Sequence, residues 1–209
     1  MTGDRRLWLG AAGAVAVVVV AVVLLFGVTT APTFPSLYEE GAPRIEGALA
    51  YVEYGGEDCV HVLDVASGES REVYCNDWVG LDGWDADGNL RVHSGNGREY
   101  VSIIDPNTGE VLEWDEFIPF DGPPPREPTT LRVRSHDGRT TLVYDGGDGE
   151  ATLIDVEGPR NYSFWEFGMS DDGNYAWVCD SEDRILVVAL DGSGGPWTVT
   201  DGVSQPMWQ

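Results

Sequence analysis

Lysine is missing from this chain: all 12 basic residues are arginine, set against 36 acids, for a formal charge of −24. So acidic a surface repels phosphate backbones and anionic headgroups, which excludes DNA, RNA and polybasic membrane docking. The charge is spread along the whole chain and reads as a solubility feature rather than a localised cation site. Histidine is scarce as well. His61, His93 and His136 stand apart from one another, with no H-x-H, H-E-x-x-H or Cys/His spacing around them, so no zinc site is expected. There is no G-x-S-x-G elbow, and nothing singles out a carboxylate pair among so many acids. The turns DADGN (85–89) and GGDGE (146–150) lack oxygens at the spacing of a calcium loop. These absences together predict a protein that is not an enzyme and carries no cofactor or metal.

Cysteine is also sparse, with three residues. Cys59 and Cys75 lie eight positions either side of Ser67, which sits in the turn DVASGE. In a tight antiparallel hairpin they face one another, and a disulfide closing such a loop is worth about 3 kcal/mol. Cys179 is left over and is expected to be a buried, unbridged thiol.

Only one long apolar run exists. Leu7 to Val28 is 22 residues without a charge, about 33 Å as a helix, enough to cross a hydrocarbon core. Arg5 and Arg6 precede it and the next arginine is Arg44, so the positive-inside rule puts residues 1–6 in the cytoplasm and the rest outside. The expectation is a single-pass plasma-membrane protein whose transmembrane helix spans 7–28. A cleaved signal peptide is the competing reading, disfavoured by the length of the run and by Pro32 after the possible cut. Residues 29–43, TTAPTFPSLYEEGAP, read as a proline-rich extracytoplasmic linker.

From Ile45 onward no window keeps a helical period, whereas strand signals return every eight to twelve residues or so. The stretch MSDDGNYAWVCDSEDRILVVALD (169–191) is the clearest unit: an Asp-Gly turn, an aromatic run, a polar turn, an apolar run and a second Asp-Gly turn. Related units run over 47–73, 85–114 and 135–158. Their opening glycines, Gly47, Gly88, Gly138 and Gly173, are spaced by 41, 50 and 35 residues. The wide spacing contains one insertion, FIPFDGPPPREP (117–128); without it the repeat is near forty residues, one four-stranded propeller blade.

Runs such as MSDDGNYAWV followed by RILVVALDGSG, and LAYVEY followed by CVHVLDVASGE, resemble the blades of the TolB-like and WD40-like β-propeller repeat family. The resemblance covers about 45–209 and implies an all-β, small β-propeller-like domain over 44–209. It extends to the repeats alone: about four blades are present and there is no N-terminal TolB domain, so that family's envelope role is not implied. The run DGVSQPMWQ (201–209) reads as the opening strand of a further repeat, with Trp208 where Trp84 stands in the second. Either it completes the first blade and closes a ring, or an open half-ring pairs with a second copy.

Seven tryptophans lie beyond residue 28. Trp84, Trp177 and Trp208 fall in predicted strands and belong to the core, whereas Trp114 and Trp165, in WDEF and FWEF, are the candidates for exposed aromatic contacts. The prolines 123, 124, 125 and 128 form a loop, and Asn161-Tyr162-Ser163 fits a glycosylation acceptor. The expected function is a membrane-anchored, non-catalytic binding or scaffolding module that meets an envelope protein, or its own copy, through a propeller face. The alternative is a small-ligand or glycan sensor using the central opening. An extracytoplasmic hydrolase or lyase ranks behind both.

Overall fold

A computed structural model of the chain describes residues 30–95, 100–116, 118, 130–146, 149–170, 172–202 and 204–208. The expected membrane helix over 7–28 and nearly all of the proline-rich insertion lie outside the described residues. Among those described, no helix is long and apolar enough to cross a membrane.

The fold is all-β, in four small sheets. Sheet 1 holds β1 (Ala48–Glu53), β2 (Asp58–Asp64) and β3 (Ser70–Asn76). Sheet 2 holds β4 (Val79–Trp84), β5 (Leu90–Ser94), β6 (Tyr100–Ile104) and β7 (Val111–Asp115). Sheet 3 holds β8 (Leu131–His136), β9 (Arg139–Asp145) and β10 (Glu150–Glu157). Sheet 4 holds β11 (Phe164–Met169), β12 (Tyr175–Asp180), β13 (Arg184–Ala189) and β14 (Trp197–Asp201). The last strand, β15 (Ser204–Trp208), pairs antiparallel with β1 and makes sheet 1 four-stranded in the order β15-β1-β2-β3. The C-terminal run thus completes the first sheet within one chain, as the closing-strand reading expects.

One edge strand from each sheet lies beside the next in the order β4, β15, β11, β8, the arrangement of propeller blades around an axis. Sheets 1 and 4 are covered on both faces, which explains why their strands read as continuous apolar runs. Leu49, Tyr51 and Leu63 of sheet 1 pack with Trp177, Cys179, Ile185 and Val187 of sheet 4. The opposite face of sheet 1, through Ala50, Val52, Val60 and Val62, packs on Leu81, Trp84, Leu90 and Val92 of sheet 2. The opposite face of sheet 4, through Ala176, Val178, Leu186 and Val188, packs on Leu131, Leu142 and Ile154 of sheet 3. Among the described residues no such cluster joins sheet 2 to sheet 3. The outer face of sheet 3 carries ion pairs instead, Arg134 to Glu150 at 2.6 Å and Arg139 to Asp155.

Two details differ from the sequence reading. The repeat at 135–158 contributes two strands of a three-stranded sheet, because after Glu157 the chain turns at once through Gly158 to Tyr162, whose backbone carbonyl accepts the Thr140 hydroxyl at 2.9 Å. No chain is left over for an outer strand. The expected linker is also docked from Pro32 onward, where the compact unit begins. Ser36 bridges to Thr198 on the open edge of β14, Leu37 is buried, and Arg184 donates to the Pro32 carbonyl at 2.8 Å while lying over the Phe34 ring. Leu37 and Phe34 are the physical reason: large apolar side chains in a spacer-like composition find core to join.

Candidate functional site: the outer rim of sheet 2

The hairpin β6–β7 turns on DPNTGE (105–110). Asp105 accepts the Asn107 amide at 2.7 Å and the Thr108 hydroxyl at 2.9 Å, and these two bonds hold its carboxyl below the usual range. Gly109 has φ +73°, and a Cβ there would stand 2.6 Å from the Val73 carbonyl of sheet 1, so only glycine fits. Arg71 of β3 donates Nε to the Pro106 carbonyl at 2.8 Å and Nη2 to Asn107 Oδ1 at 3.2 Å. The turn is clamped onto sheet 1, and β7 is held at the rim as a fixed strand.

Every residue of β7 is exposed. Of the seven large apolar side chains exposed among the described residues, three are on this strand: Val111, Leu112 and Trp114, the last 66% exposed. Tyr100 meets Trp114 edge-on, ring centroids 5.6 Å apart, which fixes the indole without covering it. A bulge between Ile103 and Ile104 sets Trp114 opposite Ser102, on the face toward sheet 1, and Glu113 and Asp115 opposite Ile103 and Val101, on the other. β7 ends its sheet, so one side of its backbone has no neighbouring strand among the described residues.

On that other face lies a polar cluster. Arg91 donates Nε to Asp82 Oδ2 at 3.0 Å and Nη1 to the Ile118 carbonyl, and His93 Nδ1 lies 2.6 Å from Asp82 Oδ1. Trp78, half exposed, leans on the His93 ring at 5.0 Å. One carboxylate shared by a guanidinium and an imidazole is internally satisfied, and it fixes the β4–β5 pair rather than presenting a base to solvent.

A cleft of about 540 Å³ opens elsewhere, lined by Arg44, Glu46, Tyr144, Asp172, Tyr175 and Asp191 among others. Its acids are engaged locally. The Ser170 hydroxyl and then the Asn174 amide hold Asp172 below the usual carboxylate range, and Ser193 does the same for Asp191. Arg44 pairs with Glu46 at 2.8 Å. Neither aspartate has the raised pKa of a general acid.

The structure pairs Cys59 with Cys75 directly across β2 and β3 in a disulfide, and buries Cys179 in sheet 4. The disulfide uses up two members of a Cys59, Glu72, Cys75 grouping that otherwise has ligand spacing. Trp114 and Trp165 are both exposed, but on sheets 2 and 4, so they do not form one platform. Trp165 donates its indole N–H to the Asp180 carbonyl at 2.8 Å, which makes it half structural. Sequence reasoning missed Val111 and Leu112 as partners of Trp114. The available signal was their position in EVLEW, a strand-type run followed directly by the proline-rich insertion.

No protein-family model and no curated protein matches the chain. Among solved structures it is similar to TolB from Acinetobacter baumannii, at 13% identity and TM-score 0.29 over 75% of this chain and 42% of that one. It is similar to the beta-propeller domain of Cps50 (Swd1) from Myceliophteria thermophila, at 12% identity and TM-score 0.24 over 68% and 52%. A GH43 glycoside hydrolase engineered for endo-xylanase and exo-arabinofuranosidase activity matches at 13% identity and TM-score 0.28 over 83% and 40%. The chain therefore spans about half or less of each of these proteins. The propeller-like description rests on the strand order itself.

Proposed function

We propose that the protein is a non-catalytic binding module, tethered to the plasma membrane through residues 7–28 with its N-terminus in the cytoplasm and its β domain outside. The observation that carries the binding reading is the rim of sheet 2: a clamped edge strand that leaves Val111, Leu112 and Trp114 in solvent. Contiguous apolar surface on a rigid support marks contact sites in soluble domains. Placement outside is supported by Arg5 and Arg6 before the apolar run and by the Cys59–Cys75 disulfide, which suits an oxidising compartment. The partner class is an envelope protein. A second reading, a small-ligand or glycan sensor, is favoured by the cleft beside Tyr144 and Tyr175.

The test is a photo-crosslinking amino acid placed at position 114 of the full-length protein in intact cells, with the same probe at Tyr54, also exposed, as the control. A discrete adduct from 114 and not from 54 is expected. Absence of any adduct at 114, with the protein in the membrane fraction, overturns the rim as the binding surface.

A further inference from the structure

Among the described residues, the acids of the edge strand β7 have no ion-pair partner. At the edge of sheet 3, Glu150 is held by Arg134 and Asp155 by Arg139, so two of the three acids of β10 are paired inside their own sheet. The edge of β14 is bridged by Ser36, and Leu37 donates to the Thr198 carbonyl there. Along β7 and its two ends, Glu110, Glu113, Asp115 and Glu116 are all exposed, and none has an ion-pair partner among the described residues. Apolar and acidic side chains are also sorted by face. Trp114 looks toward sheet 1, whereas Glu113 and Asp115 look away from it.

Resting on the binding reading above, we propose that β7 takes an additional strand from a partner protein, one that alternates basic with apolar residues. A strand laid antiparallel to Val111–Asp115 hydrogen-bonds to the open side of its backbone and sets alternate side chains over the two faces. Basic side chains fall opposite Glu113 and Asp115, and apolar ones meet Leu112 and Trp114. The requirement for basic residues follows from the charge: four carboxylates in a run of seven residues with no ion-pair partner among the described residues, on a chain of net charge −24.

The same chemistry disfavours a second copy of this chain as the occupant. Antiparallel self-pairing centred on β7 sets Glu113 against Glu113, and like charges directly opposite destabilise a strand pair. The acids that keep two copies apart therefore select a basic strand. A bulge and charges are also how natural edges avoid aggregation, and a purely protective role is the rival explanation that the experiment must separate.

The probes are two capped peptides of about eight residues, a usual strand length, one alternating arginine with valine and the other glutamate with valine. Each is titrated into the full-length protein in nonionic detergent, with amide hydrogen exchange read along the chain. The arginine peptide is expected to slow exchange over residues 111–115, and the glutamate peptide to leave it unchanged. The double variant Glu113→Arg with Asp115→Arg is expected to reverse the preference, and Trp114→Ala to weaken the arginine peptide about tenfold, as for an anchor residue. All three positions are exposed, and unchanged exchange in the core strands verifies the fold of each variant. Lack of protection at 111–115, equal binding of the arginine peptide to the charge-reversed variant, or protection confined to β10 overturns the proposal. If the crosslink from position 114 forms while the peptides fail, strand addition falls and the binding reading stands; if both fail, both fall.

Discussion

The indole N–H of Trp84 donates to the backbone carbonyl of Met207 at 3.1 Å, joining residues 123 positions apart. Trp84 ends β4 of sheet 2, and Met207 lies in β15, the strand that completes sheet 1. The bond fastens the C-terminal strand to both sheets. Trp84→Phe keeps an aromatic ring but removes this part-buried bond to the carbonyl, at a cost of about 1–3 kcal/mol. Deletion of residues 203–209 is expected to cost more, because it exposes the edge of β1 at Leu49, Ala50 and Val52. Gly47→Ala is expected to destabilise as well: φ there is +131°, and a Cβ would stand 2.7 Å from the Trp208 indole nitrogen. Urea unfolding followed by tryptophan emission ranks the three. A deletion as stable as the parent would mean that β15 is no closing strand.

Alkaline pH is expected to unfold the protein sooner than its core predicts. Tyr162 is buried and donates to Asp180 Oδ2 at 2.9 Å; burial first, then the Asp180 charge, pushes its hydroxyl far above the ordinary tyrosine value. Tyr38, although about two-fifths exposed, is pushed up to about 12, by partial burial and then by Asp64. Both groups have folded pKa values above their unfolded ones, so their stabilisation is complete below about pH 10 and is lost as pH rises toward the folded values. Urea midpoints between pH 8 and 11 measure the slope. Tyr162→Phe should flatten it; an unchanged slope would show that Tyr162 ionises freely in the folded state.

Much of this architecture was written in short-range signals. The Asp-Gly turns set hairpin positions, the symmetry of Cys59 and Cys75 about Ser67 set the β2–β3 register, and Trp208 marked the closing strand. What escaped was long-range or subtractive. Nothing local in EATLIDVE says that no outer strand will follow it, since that depends on Tyr162 plugging the next core. The pairing of His93 with Asp82 is a cross-strand relation between residues 11 apart, invisible to metal-ligand spacings. Trp114 was legible as exposed, but its neighbours Val111 and Leu112 look like any strand residues until the strand is known to be an edge.

Thiol chemistry separates the three cysteines. Cys179 is fully buried, and burial pushes its thiol well above the ordinary value, so alkylation at pH 8 should stay negligible until denaturant is added. Unfolding without reductant should release one reactive thiol, and unfolding with reductant three. Cys59→Ser with Cys75→Ser is expected to lower stability by about 2–4 kcal/mol, by loosening the constraint on the unfolded chain. Counting labels by mass spectrometry decides the matter, and two native labels would disprove the bridge.

The segment from Pro32 to Pro43 should behave as part of the domain rather than as a tether. Thr198 donates to the Pro35 carbonyl and Leu37 to the Thr198 carbonyl, each at 2.8 Å, so the segment occupies the outer edge of sheet 4 as a partial fifth strand. Leu37 reaches the core shared by sheets 1 and 4, and Phe34 packs against the core shared by sheets 3 and 4. Arg184 links the two levels: it holds the Pro32 carbonyl with Nη1 while Nε and Nη2 bind the buried Asp180 carboxylate at 2.9 and 2.6 Å. Leu37→Ala is therefore expected to cost about 2–5 kcal/mol, the range for a leucine truncated in a core, where an exposed linker residue would cost almost nothing. Proteolysis gives an independent readout. Cleavage after Tyr38 or Glu39 should track global unfolding in the parent and precede it in Leu37→Asp, because a buried charge there frees the segment while the hairpins of sheet 4 persist.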